Sequence, residues 1–255
     1  MKPPVVIVGM GEMGGVFARG FLGAGHPVYP VLRNTSMANV ADAAPDPTLV
    51  MVTVGEDDLD GVLAELPEDW NKSTAMIQNE VLPRDWVGHG IETPTVSSVW
   101  FEKKPGQPVK VIIPTPVAGP RAGLVVEALT SIGIPAQVIP DAELVQALVA
   151  KNLYILTANI GGLRSGGSVA DLWHGHRELA EAVAAEVLDI QEYLVGAPLD
   201  REGAVAAMVT AIEADPAHGA TGRSAPRRLE RARGHSADAG IDTPTLDAIA
   251  EDLTG

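Results

Sequence analysis

Residues 5–14 read Val5-Val6-Ile7-Val8-Gly9-Met10-Gly11-Glu12-Met13-Gly14. A short β-branched run meets Gly-x-Gly-x-x-Gly, and Val16, Phe17, Phe21 and Leu22 then recur at helical spacing. Strand, glycine turn and helix in that order form the local context in which the motif binds a dinucleotide. Gly9 would permit the tight turn, Gly11 the close approach of backbone to a pyrophosphate, and Gly14 the close packing of helix on strand. The free N–H groups and positive end of the helix would hold the phosphates. Gly9, Met10, Gly11, Glu12, Met13 and Gly14 are therefore the candidate cofactor-binding turn. The competing reading is a glycine-rich turn that binds nothing.

The rest of the N-terminal half continues the pattern. Apolar runs at 27–32, 49–54 and 75–78 alternate with helical spacing, as in a parallel sheet with crossover helices. Val96–Phe101 and Val109–Ile113 read as two later strands joined by the turn Lys103-Lys104-Pro105-Gly106. Pro114, Pro116 and Pro120 mark a loop, followed by a helix near 121–131 and a strand near 136–139. The character changes at Pro140-Asp141. Asp141 is a candidate N-cap for a long apolar helix to about Leu163. Helical patterns follow at about 178–195, 200–213, 225–239 and 245–252. The expected fold is α/β: a Rossmann-type dinucleotide-binding domain over 1–140, then an all-α domain over 141–255. A ligand cleft is expected between them.

Composition narrows the function. The 255 residues carry a net charge of −15 and 46% hydrophobic residues, which suits a globular chain. A diffuse acidic excess argues against a nucleic-acid partner. The apolar start is too short for a membrane span, so no membrane partner is expected either. Cysteine is absent, which removes disulfide and thiolate chemistry and fits a cytoplasmic protein. His174-Gly175-His176 is no metal pair, because i and i+2 do not share a helix face, and no metal is expected. Arg223, Arg227, Arg228, Arg231 and Arg233 read as a solvated helix face interleaved with Glu230, with contact to a cofactor phosphate or an acidic substrate as the alternative. A homodimer through the helical half is compatible with the sequence.

Three further positions carry chemistry. Past the second strand, where NAD-binding chains place an acid, stands Arg33-Asn34-Thr35-Ser36. A guanidinium there would meet a 2′-phosphate, which favours NADP(H) over NAD. Lys151 lies in an apolar helix, where desolvation disfavours the charged form and readies it to give a proton to a carbonyl oxygen. It could equally run its stem along the surface and keep the ammonium in water. Asn159 lies two turns on, about 12 Å along the axis, and would bind substrate or cap a backbone group. Asn79 ends the fourth strand on the ligand edge of such sheets, as a bridge between cofactor and substrate or as a turn residue.

These residues resemble the ketopantoate reductases (2-dehydropantoate 2-reductases) and their 6-phosphogluconate-dehydrogenase-like relatives. The resemblance is carried by Gly9–Gly14, the strand ending in Arg33, Leu49–Val54, Gln78-Asn79, Lys151, Asn159, Ala197–Asp200 and Gly240–Pro244. It implies that Lys151 protonates the keto oxygen, that Asn79 contacts cofactor and substrate, and that Asn159 binds substrate. The chain departs from the family at Ile155, where a second substrate Asn is usual. It departs again at Gly55, where a cofactor Lys is usual, and at Glu80, where Gly is usual. Trp100, Phe101 and Glu102 replace smaller residues of the nicotinamide pocket. Ser224 falls near the position of the family's late Glu and is the candidate substrate contact there. The function so implied is an NADPH-dependent reductase of a small 2-oxo acid or ketone. The alternatives are a non-catalytic NADP-binding sensor, or a reductase of an imine or 3-hydroxy acid.

Overall fold

The computed structural model describes residues 2–253 and divides into two compact units, one ending at Val145 and the other beginning at Gln146. In the first unit β1 (Val5–Val8) is buried along its whole length. It lies between β2 (Val28–Val31) and β3 (Leu49–Val52), parallel to both. A strand flanked by parallel neighbours and covered on both faces needs a continuous apolar run, and Val-Val-Ile-Val supplies one. β4 (Thr74–Met76) and β5 (Thr95–Ser97) extend the parallel set. β8 (Thr115–Ala118) then pairs antiparallel with β5, and β9 (Ala136–Val138) runs parallel to β8. The order is β2-β1-β3-β4-β5-β8-β9.

Two expectations fail here. The run 96–101 is not one strand: β5 stops at Ser97, and β6 (Phe101–Glu102) pairs with β7 (Lys110–Val111) in a separate hairpin. The proline-marked segment 114–120 is not a loop but contains β8. Pro116 is tolerated because it lies opposite Ser98, one residue past the end of β5. There its carbonyl accepts from the Ser98 N–H at 3.0 Å, and the donor that proline lacks falls outside the ladder.

α1 (Glu12–Gly23) and α5 (Ala122–Ser131) cover one face of the sheet. Phe17 and Phe21 of α1 are fully buried in a cluster with Ile7, Met51, Val125 and Leu129. Phe17 also meets Phe101 at 6.1 Å between ring centroids, which ties the β6–β7 hairpin to α1. Each such aromatic side chain buries enough apolar surface to contribute about 2–3 kcal/mol. Asp141 does not cap a helix. It opens a 3-10 turn, and its carboxylate accepts from the Gly119 N–H at 2.9 Å, tying the exit of β8 to the end of the sheet.

The long helix α6 is Leu144–Ser165. The second unit contains most of it and then α7 (Arg177–Val195), α8 (Arg201–Ala214), α9 (Ala225–Ala239) and α10 (Pro244–Asp252). Asp200 caps α8 by accepting from Gly203 N–H at 2.9 Å. Asn152 of α6 donates to Gln191 of α7 at 3.0 Å, a buried pair that fixes the register of these helices. Glu186 of α7 accepts from the backbone N–H groups of Thr245 and Leu246 at 2.8 and 2.9 Å, holding the start of α10. Among the described residues no helix is long and apolar enough to cross a membrane.

Candidate functional site

The glycine turn sits at the carboxyl end of β1. Gly9 has φ +92°, and a Cβ there would lie 2.8 Å from Val54 Cγ1 and 3.1 Å from the Val54 nitrogen. A Cβ on Gly14 would overlap the Gly9 carbonyl oxygen and come within 2.8 Å of Thr53 Oγ1. Those two glycines are explained by the chain's own packing. Gly11 is not: its φ is −72°, and a Cβ there would have no atom within 4 Å. The fold leaves open space above it, where only an external group would be met. Thr53 locks the turn by donating to the carbonyls of both Gly9 and Val8, the latter at 3.2 Å.

Gly9, Met10 and Gly11 line a cleft of about 1060 Å³ that runs past Arg33. Leu32 and Met10, two of the few large apolar side chains left exposed, also line it. A long cleft with an apolar wall, a backbone cradle at a helix N-terminus and a guanidinium fits a dinucleotide. The side chain of Arg33 is 94% exposed, with Nη2 3.5 Å from Asp58 Oδ2. Asp57, Asp58 and Glu65 also line this cleft, so Arg33 stands among acids. Ser36 accepts from Asn39 N–H as the N-cap of α2 (Met37–Ala43). Of the other motif residues, Met13 packs on the core beneath the turn, and Glu12 opens the first turn of α1.

Asn79 lies just beyond β4. Its amide donates to Glu56 Oε1 at 2.8 Å, in the loop after β3. Its neighbour Gln78 is buried and clips the ends of the strands together. The amide nitrogen donates to the Val52 and Val54 carbonyls at 3.0 Å each, and Oε1 accepts from Ile77 N–H at 3.1 Å. Sequence reasoning assigned Gln78 no role, because the two carbonyls it clips together lie more than 20 residues away.

In the second unit, Lys151 is 8% exposed, which disfavours the reading in which its stem merely runs to water. Nζ stands 5.8 Å from the Tyr154 ring centroid. Tyr154 in turn meets the ring of His218, whose Nδ1 is 3.3 Å from Asp215. Asn159 is two turns along the same helix. Its Nδ2 donates to the Ala220 carbonyl at 3.3 Å, and its Oδ1 accepts from Arg228 Nη1 at 2.6 Å. Arg228 is therefore not part of a solvated face: it is buried, and its head reaches α6. The expectation failed because charge alone does not reveal which side of α9 carries the apolar Leu229 and Ala232 into the core. Arg233 does remain at the surface, paired with Asp247 at 2.6 Å. Ser224 precedes α9 and is exposed, with its carbonyl accepting from Arg228 N–H at 3.0 Å. Asn159 is thus joined by the Arg228 side chain to the helix that Ser224 precedes, and Lys151 lies two turns before Asn159 on α6. In the first unit Gly9, Gly11 and Arg33 share one cleft, and Asn79 is bonded to Glu56 in the segment after β3. Among the described residues no three His, Asp or Glu side chains form a metal-binding group.

No family model matches the chain, and no curated protein matches it by sequence. Solved structures do match. One is the 2-dehydropantoate 2-reductase of Methylococcus capsulatus, at TM-score 0.71 and 13% identity over 98% of this chain and 96% of that one. The dimeric ketopantoate reductase of Staphylococcus aureus matches at TM-score 0.63 and 16% identity, over 98% and 99% of the two chains. A D-mandelate dehydrogenase solved with NADH and anilino(oxo)acetate matches at TM-score 0.64 and 15% identity, over 97% and 96%. From end to end, the chain has the fold of the ketopantoate reductases.

Proposed function

We propose that the protein is an NADP(H)-dependent reductase acting on the carbonyl of a small 2-oxo acid, with Lys151 as proton donor. The observation that carries the reading is Gly11, the motif glycine for which the chain's own packing gives no reason and whose open face lines the cleft with Arg33. The shared fold with ketopantoate reductases and a D-mandelate dehydrogenase supports 2-oxo and 2-hydroxy acids as the substrate class.

When bound, the reduced nicotinamide supplies a hydride; the chain supplies position and a proton. Backbone N–H groups of the Gly9–Gly14 turn beyond Gly9, whose own N–H donates to the Val31 carbonyl at 3.0 Å, would hold the diphosphate, and Arg33 would meet the 2′-phosphate in exchange for its exposed contact with Asp58. Asn79, with one N–H fixed by Glu56, orients the groups that meet at the end of β4. Lys151 Nζ gives its proton to the oxygen that becomes the alcohol, as a buried general acid. Asn159, held by Arg228, binds the polar end of the substrate. By likeness to the dimeric relative, two copies pair in solution, which sedimentation velocity would test.

The deciding experiment follows NADPH oxidation against a panel of 2-oxo acids including ketopantoate and phenylglyoxylate. Lys151→Ala should lower kcat by roughly 10²- to 10⁴-fold while leaving the Kd for NADPH within about twofold. Turnover that survives the substitution would remove Lys151 from the chemistry. NADPH binding with no turnover on any member would move the protein to a sensing role.

A further inference from the structure

We propose that Lys103, at the end of β6, is a diphosphate-binding residue of the dinucleotide site; the proposal rests on the dinucleotide reading above. Besides the large cleft, a second groove of about 690 Å³ borders the glycine turn, and the two share Met10 and Gly11. They therefore meet at the turn, where the diphosphate would sit, and Lys103 lines the second of them. The charge balance at that point is unfavourable without help. Glu12 puts a carboxylate on the first turn of α1, and the loop after β3 adds Glu56, Asp57 and Asp58. Arg33 is the one cation lining the large cleft among the described residues, and it stands beyond β2.

The β6–β7 hairpin brings a cation to the turn from 91 positions further along the chain. Lys103 Nζ lies 2.9 Å from Glu12 Oε2 and donates to its neighbour's carbonyl, Lys104 O, at 2.8 Å. The side chain is 22% exposed, so its rotamers are already restricted, and less entropy is lost when it meets an anion. Two of the three ammonium N–H groups serve these contacts, and the third is available to a diphosphate oxygen at the helix N-terminus. Phe101, two residues earlier, anchors the hairpin on Phe17 of α1 and fixes its approach.

The test is a binding titration on the full chain, with NADPH and NADH followed by fluorescence and ADP-ribose and 2′-AMP by calorimetry. Lys103→Ala should raise Kd about tenfold for NADPH, NADH and ADP-ribose alike. It should leave 2′-AMP, which lacks a diphosphate, within twofold, and the loss should persist in a Glu12→Gln background. Lys104→Ala, at the exposed neighbour paired with Glu102, should bind like the parent, and thermal unfolding should show all variants folded. Three results would overturn the proposal: unchanged affinity for NADPH, an equal loss for 2′-AMP, or a loss that vanishes with Glu12→Gln. A parent chain that binds no dinucleotide overturns the underlying reading as well, whereas a binding parent with an unaffected variant overturns this inference alone.

Discussion

Replacing Gly11 or Gly14 by alanine adds the same methyl group to the same turn, yet the two variants should fail in different ways. At Gly14 the methyl has nowhere to go: it overlaps the Gly9 carbonyl oxygen and lies 2.8 Å from Thr53 Oγ1. Both neighbours are fixed by their mutual hydrogen bond, so α1 must lift from β1. Overpacking of this kind costs about 1–3 kcal/mol, offset by up to ~1 kcal/mol from the better helix propensity of alanine. A net loss of about 1–2 kcal/mol lowers Tm by roughly 2–8 °C for a chain of this size. At Gly11 the backbone is extended, with φ −72° and ψ −166°, and nothing lies within 4 Å of the new methyl. Stability should change by less than about 1 kcal/mol, the cost of alanine at an N-cap. The methyl would instead stand where the diphosphate approaches, and NADPH affinity should fall at least tenfold. Thermal unfolding by circular dichroism and fluorescence titration with NADPH separate the two effects. A Gly11→Ala variant that binds NADPH like the parent would refute the argument from open space. A Gly14→Ala variant that melts with the parent would refute the argument from packing.

Arg33→Ala should weaken NADPH at least fivefold and leave NADH within twofold, and Asp58→Asn should tighten NADPH by freeing the guanidinium; parallel titrations decide both. Glu80 is the one described non-glycine residue with positive φ, +66°, so Glu80→Gly should raise stability by about 1 kcal/mol in urea unfolding. Arg201 bonds Asp189 at 2.6 Å and also Glu192, and its guanidinium holds the Glu192 carboxyl below the usual range. A carboxylate lowered in this way stabilises the fold above its ordinary pKa, and the gain disappears as pH falls through the lowered value. Tm of the parent should therefore drop below about pH 5 more steeply than that of Arg201→Ala, and parallel slopes would refute the linkage.

The parts legible in sequence are those whose cause is local. Val5–Val8 reads as a buried strand because parallel pairing on both sides demands unbroken apolar character. The helices from 177 onward read correctly to within a residue or two because caps and periodicity lie inside each segment. β8 was hidden because Pro116 is excused only by its position one residue past its partner strand, which is a fact about pairing. Arg228 looked like its exposed neighbours because the difference is the direction of one side chain toward Asn159, 69 positions away. Lys103 looked like turn decoration for the same reason: Glu12, its partner, belongs to another element.

The reversal of direction at β8 has a practical consequence. Five strands deliver their carboxyl ends to the edge that holds the glycine turn, but β8 and β9 deliver their amino ends to it. The connection Ile132-Gly133-Ile134 before β9 therefore borders the groove beside Gly11 although it follows a helix from the opposite direction. For anyone reshaping this protein, the exposed hairpin tip at 104–108, whose Gln107 and Pro108 line the same groove, is the natural place to vary sequence, since Ile134 of the connection is packed into the core. It reaches the groove without disturbing the backbone of the motif or the core beneath it, so libraries built there would retune what the groove accepts and leave the folding of the first unit alone.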